Sequence, residues 1–212
     1  MKKTKVALAS LLIALIAFYV WHTPLRGPLT DAEIDAFMQT QAEVVGTTWA
    51  DEVAFEEFLR NDDGRPFVMI NLMEYQEIAQ YPDGTASDGA MTGKQAGSLY
   101  GQAVLPQLLI RGSYPVARAD RHNTIINSVG QTAGEFDSFA MVRYRSRRDL
   151  IDMLSSDAFR IANDHKWASL ENTLVAPSNS AASFKFIGFV PWFLIGGIGV
   201  LLGMIIRERR KS

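Results

Sequence analysis

Two apolar segments, one at each end of the chain, restrict what this 212-residue sequence can fold into more than any other feature. The second, Phe186 to Ile206, contains no charged side chain. At about 1.5 Å of rise per helical residue its roughly 21 positions reach ~30 Å, the thickness of a bilayer core. Arg207, Arg209, Arg210 and Lys211 follow it, so a membrane helix here is expected to leave a basic tail, residues 207–212, in the cytoplasm. The first segment, Val6 to Val20, follows Lys2, Lys3 and Lys5, an arrangement shared by secretory signal peptides and by retained anchors. Cleavage needs small residues after the apolar run. Phe18, Tyr19, Val20 and Trp21 occupy that place, so residues 1–21 are expected to stay as an N-terminal anchor, with aromatics at the membrane interface.

Charge divides the chain the same way. Residues 22–184 hold 13 Lys and Arg against 22 Asp and Glu, a net of −9, while the two ends are basic and the whole chain carries −2. Basic ends around a long acidic middle predict two spans with both termini cytoplasmic and the middle exported across a bacterial inner membrane, because long loops cross regardless of their own charge. An acidic exported domain is a poor partner for nucleic acid, which selects clustered positive charge. The absence of cysteine excludes disulfides and thiolate metal sites.

Between the spans there is room for one domain of ordinary size. Residues 22–63 read as a tether, HTPLRGPL, followed by two helices. Thr30 and Glu33 have capping-box spacing at the start of a helix over Thr30 to Val45, and Asp51 to Arg60 forms the second, ended by Asn61, Asp62, Asp63 and Gly64. From there the pattern runs strand, helix, strand, strand, helix, strand. Phe67 to Tyr75 is a buried strand, Asp83 to Gly97 a loop, and Ser98 to Arg111 a helix in which Pro106 invites a kink and which Gly112 stops. Val116 to Ile126 and Phe136 to Tyr144 form a hairpin turning at Gly130 to Gly134. Ser146 caps a helix carrying Leu150, Ile151, Met153 and Leu154 that continues towards Phe159 and a last turn at His165 to Leu170, and Thr173 to Ala176 closes the sheet. Residues 177–185 form a linker to the second span, 186–206, in which Gly199 and Gly203 permit close helix approach.

Four short stretches resemble the family called domain of unknown function 1330: Gly64-Arg65-Pro66-Phe67-Val68-Met69-Ile70-Asn71-Leu72-Met73, Tyr100-Gly101 with Val104-Leu105-Pro106, Val142 to Arg148, and Ala168 to Thr173. The resemblance covers about residues 64–176. It implies a ferredoxin-like α+β domain that pairs with a second copy into a dimeric α/β barrel, and it implies no agreed activity. Barrels of this kind include cofactor-free monooxygenases, small-molecule isomerases and haem-binding proteins, so fold does not settle function.

Strand alternation groups the side chains that could carry chemistry. Val68, Ile70 and Leu72 share one face, expected to lie under the helices, and Met69, Asn71, Met73 and Tyr75 share the other, expected to line the barrel interior. Arg118, Asp120 and His122 point together on the third element, as do Phe139, Met141 and Arg143 on its partner. A pocket of Asn71, Tyr75, Arg118 and Arg143, with Asp120 and His122 as candidate proton-transfer groups, would suit a small molecule that is partly anionic and partly apolar. The alternative is a structural ion-pair network of Arg118, Asp120 and Arg143 at a dimer seam. His22, His122 and His165 have no zinc-ligand spacing, and no cofactor fingerprint or nucleophile elbow occurs. His165 reads as a packing or solvent-facing group, and Arg147 and Arg148 as solvated charges or contacts to anionic lipid. Two classes of function follow: a membrane-tethered module that binds a small ligand or partner without catalysis, and a cofactor-independent enzyme of the isomerase or monooxygenase kind.

Overall fold

Seven helices and four strands make up the described residues, 2–44, 52–81, 91–122, 136–179 and 189–210, of a computed structural model. In chain order they are α1 Lys2–His22, α2 Asp31–Val44, α3 Glu52–Arg60, β1 Phe67–Tyr75, α4 Gly93–Ile110, β2 Tyr114–Asp120, β3 Ser138–Tyr144, α5 Arg147–Leu154, α6 Asp157–Ser169, β4 Leu170–Ser178 and α7 Val190–Arg209. The chain divides into two units, one from the end segments Met1–Leu25 and Ala181–Ser212, the other from Arg26 to Ser180.

In the first unit α1 packs on α7. Thr4–His22 and Val190–Arg207 are long and apolar enough to cross a membrane, and neither is buried within the protein. A Cβ on Gly197 would stand 3.3 Å from Leu11, whereas Cβ atoms on Gly199 and Gly203 would meet nothing within 4 Å. The close approach between the two helices therefore uses Gly197, and the Gly199 and Gly203 spacing singled out in the sequence is not part of it. Lys185 and Phe186 to Gly188 lie outside the described residues.

The second unit is an α+β domain. Its four-stranded antiparallel sheet has the order β2-β3-β1-β4. β1 is the central strand and has the bounds its apolar run predicts. Directly opposed residues share a face, so register divides the sheet. Phe67, Met69, Asn71, Met73 and Tyr75 share a face with Val142, Ala140 and Ser138 of β3, Arg118 and Asp120 of β2 and Thr173 of β4. Val68, Ile70 and Leu72 share the other with Arg143, Met141 and Phe139 and with Leu174 and Ala176. The main buried cluster forms on the first face, where Phe67, Met69 and Tyr144 meet Val104 and Leu108 of α4, Leu150 and Met153 of α5 and Phe159 of α6, while Val68 and Tyr114 on the other face are buried outside it. The expectation that Val68, Ile70 and Leu72 lie under the helices is thus reversed. Both faces of β1 are apolar, and the bulkier Phe67, Met69 and Tyr144 are the ones that fill the space beneath the helices.

The two helices ahead of the sheet belong to the same core. Ile34 and Phe37 of α2 and Leu59 of α3 are buried in it, and rings run from Phe37 through Phe55 and Phe58 to Phe67, which stacks on Tyr144 at 5.2 Å. Each such side chain removed from water contributes about 1.5–3 kcal/mol. Residues 22–63 are therefore part of the domain from Arg26 onward and not a separate extension. The Thr30 and Glu33 capping box forms, and Glu33 also receives the guanidinium of Arg148. Arg148 donates to Pro28 O at 2.7 Å, and Arg147 pairs with Asp62 at 3.4 Å and lies 4.5 Å over the Phe58 ring. These arginines are clamps between α5 and the N-terminal helices rather than solvated charges or lipid contacts. Ion pairing holds the Glu33 carboxyl at about 2, the hydrogen bond from Arg148 being the largest cause.

Other boundaries move for local reasons. α4 begins at Gly93, inside the expected loop, because Thr92 and Gln95 form a capping box there, and it continues through Pro106. β2 starts at Tyr114 and ends at Asp120. The turn expected at Gly130 to Gly134 lies outside the described residues. Ser146 caps α5 as its spacing predicts, but Ser156 caps a second helix, so one expected helix is two. β4 runs over Leu170–Ser178, which places Pro177 in the sheet and not in a linker.

Candidate functional site

The covered face of the sheet does not fill against α4 along its whole length. A cavity of about 350 Å³ remains. Its floor is Asn71, Met73 and Tyr75 of β1 with Ala140 and Val142 of β3, and its roof is Tyr100, Gly101, Val104, Leu105 and Leu108 of α4. Glycines let α4 approach the sheet closely at the cavity's end. A Cβ on Gly97 would lie 2.9 Å from the Tyr75 ring, so this helical position admits no larger residue while the ring stays where it is. One on Gly93 would lie 2.4 Å from Gln76 O and 2.5 Å from Ser169 O, where the ends of β1 and α6 converge on the start of α4.

Polar groups enter this apolar space at few points. Tyr75 Oη shares a hydrogen bond with Ser138 Oγ at 3.1 Å, and Asn71 Nδ2 donates to Met69 O at 3.3 Å. Arg118 lines the cavity from β2 with its guanidinium beside Gly101, 3.9 Å from where a Cβ there would stand. Among the described residues its guanidinium has no hydrogen-bond partner and no ion pair. Lys166 lines the cavity from α6, half-buried, with its ammonium 6.0 Å over the Tyr100 ring and 4.8 Å over that of Trp167. It too has no carboxylate partner among the described residues. Burial pushes its amine down to about 8 and pushes the phenols of Tyr100 and Tyr144 up.

The sequence-predicted residues divide into two groups. Asn71, Tyr75 and Arg118 are brought together in the cavity. Arg143 is on the opposite face, opposed to Val68 and Tyr114, where it donates to Gly112 O at 3.0 Å and lies 5.3 Å over the Tyr114 ring. Arg118 and Arg143 therefore do not share a pocket. The register is the cause, since Arg118 is opposed to Ala140, and an irregularity between Pro115 and Ala117 shifts the pairing. Asp120 is taken up by Lys94 at 2.8 Å, and that hydrogen bond holds its carboxyl below the usual range. His122 is exposed past the end of β2. Neither lines the cavity, so the candidate proton-transfer pair is separated from it; of the ion-pair network weighed as the alternative, Arg143 is on the other face, while Arg118 and Asp120 share a face and the charge of Arg118 helps to lower the Asp120 carboxyl.

Lys166 and Tyr100 were missed as site residues, although Lys166 had a sequence signal. Phe159, Ala162, Lys166 and Ser169 fall at helical spacing, which places a lysine on the apolar stripe of α6. His165 points away to Tyr81, whose hydroxyl lies 2.7 Å from Nδ1, and serves to hold the segment after β1 against α6. Among the described residues no three His, Asp or Glu side chains gather to hold a metal ion.

No family model matches this chain and no curated protein does. Solved structures do. The chain is similar to the crystal structure of methylated RPA0582 protein, with a TM-score of 0.54 and 24% identity over 62% of this chain and 93% of that one. It is also similar to the RPA0582 protein of unknown function from Rhodopseudomonas palustris, with a TM-score of 0.51 and 24% identity over 58% of this chain and 88% of that one. At this identity the likeness is one of fold. It extends over almost the whole of those proteins and names no ligand or activity.

Proposed function

We propose that this chain is a membrane-tethered ferredoxin-like module, of the dimeric α/β barrel type that its motifs resemble, and that it binds a small amphipathic anion. One observation carries the ligand class: two cations, Arg118 and Lys166, line an otherwise largely apolar cavity, and neither is in an ion pair among the described residues, although the charge of Arg118 also acts on Asp120. Arg118 is solvent-exposed and Lys166 half-buried, so an anion held against the apolar walls would gain charge-assisted hydrogen bonds that neither cation makes among the described residues. Cavities of about 300–1,000 Å³ with apolar walls and a few placed polar groups are the usual form of small-molecule sites.

Two further parts of the proposal rest on other features. The face of Ile70, Leu72, Met141 and Leu174 contributes nothing to the buried core, and Phe139 and Leu174 on it are 39% and 47% exposed. A second copy laid on this face would bury it and build the barrel. The apolar helices and basic ends support two spans in a bacterial inner membrane, with both termini cytoplasmic and the α+β domain exported. The exposed Trp192 and Phe193 at the start of α7 suit a membrane interface.

Binding is preferred over catalysis because the residues first suited to moving a proton, His122 and Asp120, do not line the cavity. The test is native mass spectrometry of the full chain released from detergent. A co-purifying organic acid that is lost from Arg118→Leu would support the reading, and a wild-type protein that binds no member of a panel of aromatic and branched carboxylates would sink it. Reporter fusions at the C-terminus and near Pro177 test the topology separately, and a cytoplasmic signal from the second position would overturn export.

A further inference from the structure

Lys166 has a setting that simple anion binding does not require. Its amine is carried on the apolar stripe of α6, rests over the rings of Tyr100 and Trp167, and opens on the cavity, and among the described residues no carboxylate pairs with it. Arg118 approaches the same turn of α4, at Gly101, from β2. One wall therefore offers a permanent cation and another an amine in apolar surroundings. An arginine stays charged under all conditions, whereas a desolvated lysine gives up its proton readily and becomes a nucleophile.

We propose that Lys166 captures a carbonyl compound covalently, with Arg118 holding the carboxylate of an oxo acid while the Lys166 amine adds to its carbonyl carbon. This deepens the anion-binding reading and rests on it. The neutral amine forms a carbon–nitrogen bond, and the carbonyl oxygen takes up a proton to give a carbinolamine. The proton that the ammonium first gave up returns to that hydroxyl, which leaves as water, and the nitrogen lone pair closes the carbon–nitrogen double bond of a protonated imine. An ammonium and a carbonyl thus become an iminium and water, with no change in total charge and no oxidant or reductant. The depressed basicity of the amine, at about 8, makes roughly half of it neutral at that pH.

The test treats the full chain in detergent with phenylpyruvate or levulinate in the presence of cyanoborohydride, which reduces an imine to a stable secondary amine, and maps the adducts by mass spectrometry. Phenylpropionate, which has a carboxylate and ring but no carbonyl, is the matched competitor. Labelling is expected at Lys166 on the order of a hundredfold faster than at Lys94, whose amine is exposed and kept protonated by the hydrogen bond to Asp120, because an amine of ordinary or raised basicity, pKa ~10.4 or above, is almost wholly protonated near neutrality. The rate should rise with a midpoint near pH 8 and fall when phenylpropionate is added. Lys166→Met, which keeps an apolar stem, should lose the label and keep its fold by circular dichroism.

Adducts spread over exposed lysines, with Lys166 unlabelled while phenylpropionate still raises the melting temperature, would overturn covalent capture and leave anion binding standing. Failure of both labelling and phenylpropionate binding would remove both. Labelling of Lys166 that phenylpropionate does not slow would show a reactive amine unconnected with the cavity and would equally overturn the proposal.

Discussion

The two faces of the sheet come from the same four strands and have opposite fates. One lies beneath helices that supply Ile34, Phe37, Leu59, Val104, Leu150 and Phe159, and it encloses the cavity. The other presents Ile70, Leu72, Met141 and Leu174, none of which joins the buried core. Apolar character does not separate them. The difference is made by what the helices bring, and the face that looks simpler in the sequence, with Ile70 and Leu72, is the one they do not roof.

This contrast can be broken most directly in the core. Leu59→Ala empties a fully buried site and should cost about 3 kcal/mol in denaturant unfolding, against less than about 1 kcal/mol for Leu72→Ala on the open face of a monomer. Equal losses would mean that the two faces are not packed differently. Arg148→Met comes next. It strands Glu33 and the Pro28 carbonyl, and because Glu33 is 40% exposed the loss should be about 2 kcal/mol, below the range for fully buried pairs, read from the same unfolding curves. Thr92→Ala removes the α4 cap at the roof of the cavity and should cost about 1 kcal/mol in the same measurement.

A smaller, pH-dependent effect sharpens the account of the clamp. The folded Glu33 carboxyl titrates at about 2 against an ordinary 4.5, so its contribution is complete above about pH 4.5 and is lost as pH falls towards 2. Melting temperatures of wild type and Glu33→Gln should therefore converge over that window. Curves that stay parallel would remove the clamp from the explanation of acid stability. The smallest effect on the fold is expected from Met141→Lys, under about 0.5 kcal/mol for the monomer, while light scattering should show loss of a dimer if the open face is where two copies meet. An unchanged dimer would place the partner elsewhere.

Much of the local structure was legible. The Thr30 and Glu33 box, the Ser146 cap, Gly112 at the helix stop and both ends of β1 follow from backbone chemistry within a few residues. The candidate site was half legible, because alternation on one strand correctly grouped Asn71 with Tyr75 but could not say which strand residues stand beside them. Alternation alone puts Arg143 with Arg118, whereas Arg118 is opposed to Ala140 and Arg143 to Val68. Lys166 is not legible as a site residue because a single lysine on a helix ordinarily means a solvated face, and only the neighbouring Tyr100 and Trp167 rings make it different.

The sequence by itself determined the properties that add up along the chain: two helices long and apolar enough to cross a membrane, an acidic middle, and the order of strands and helices between them. The tertiary structure alone decided which face of the sheet is roofed, that Arg147 and Arg148 reach back to the first helices, and that Arg118 and Lys166 border one cavity. The reason is physical. Hydropathy and capping depend on neighbours a few residues away, whereas pairing register and side-chain burial depend on segments separated by dozens of residues, and a shift of one residue in register exchanges the two faces.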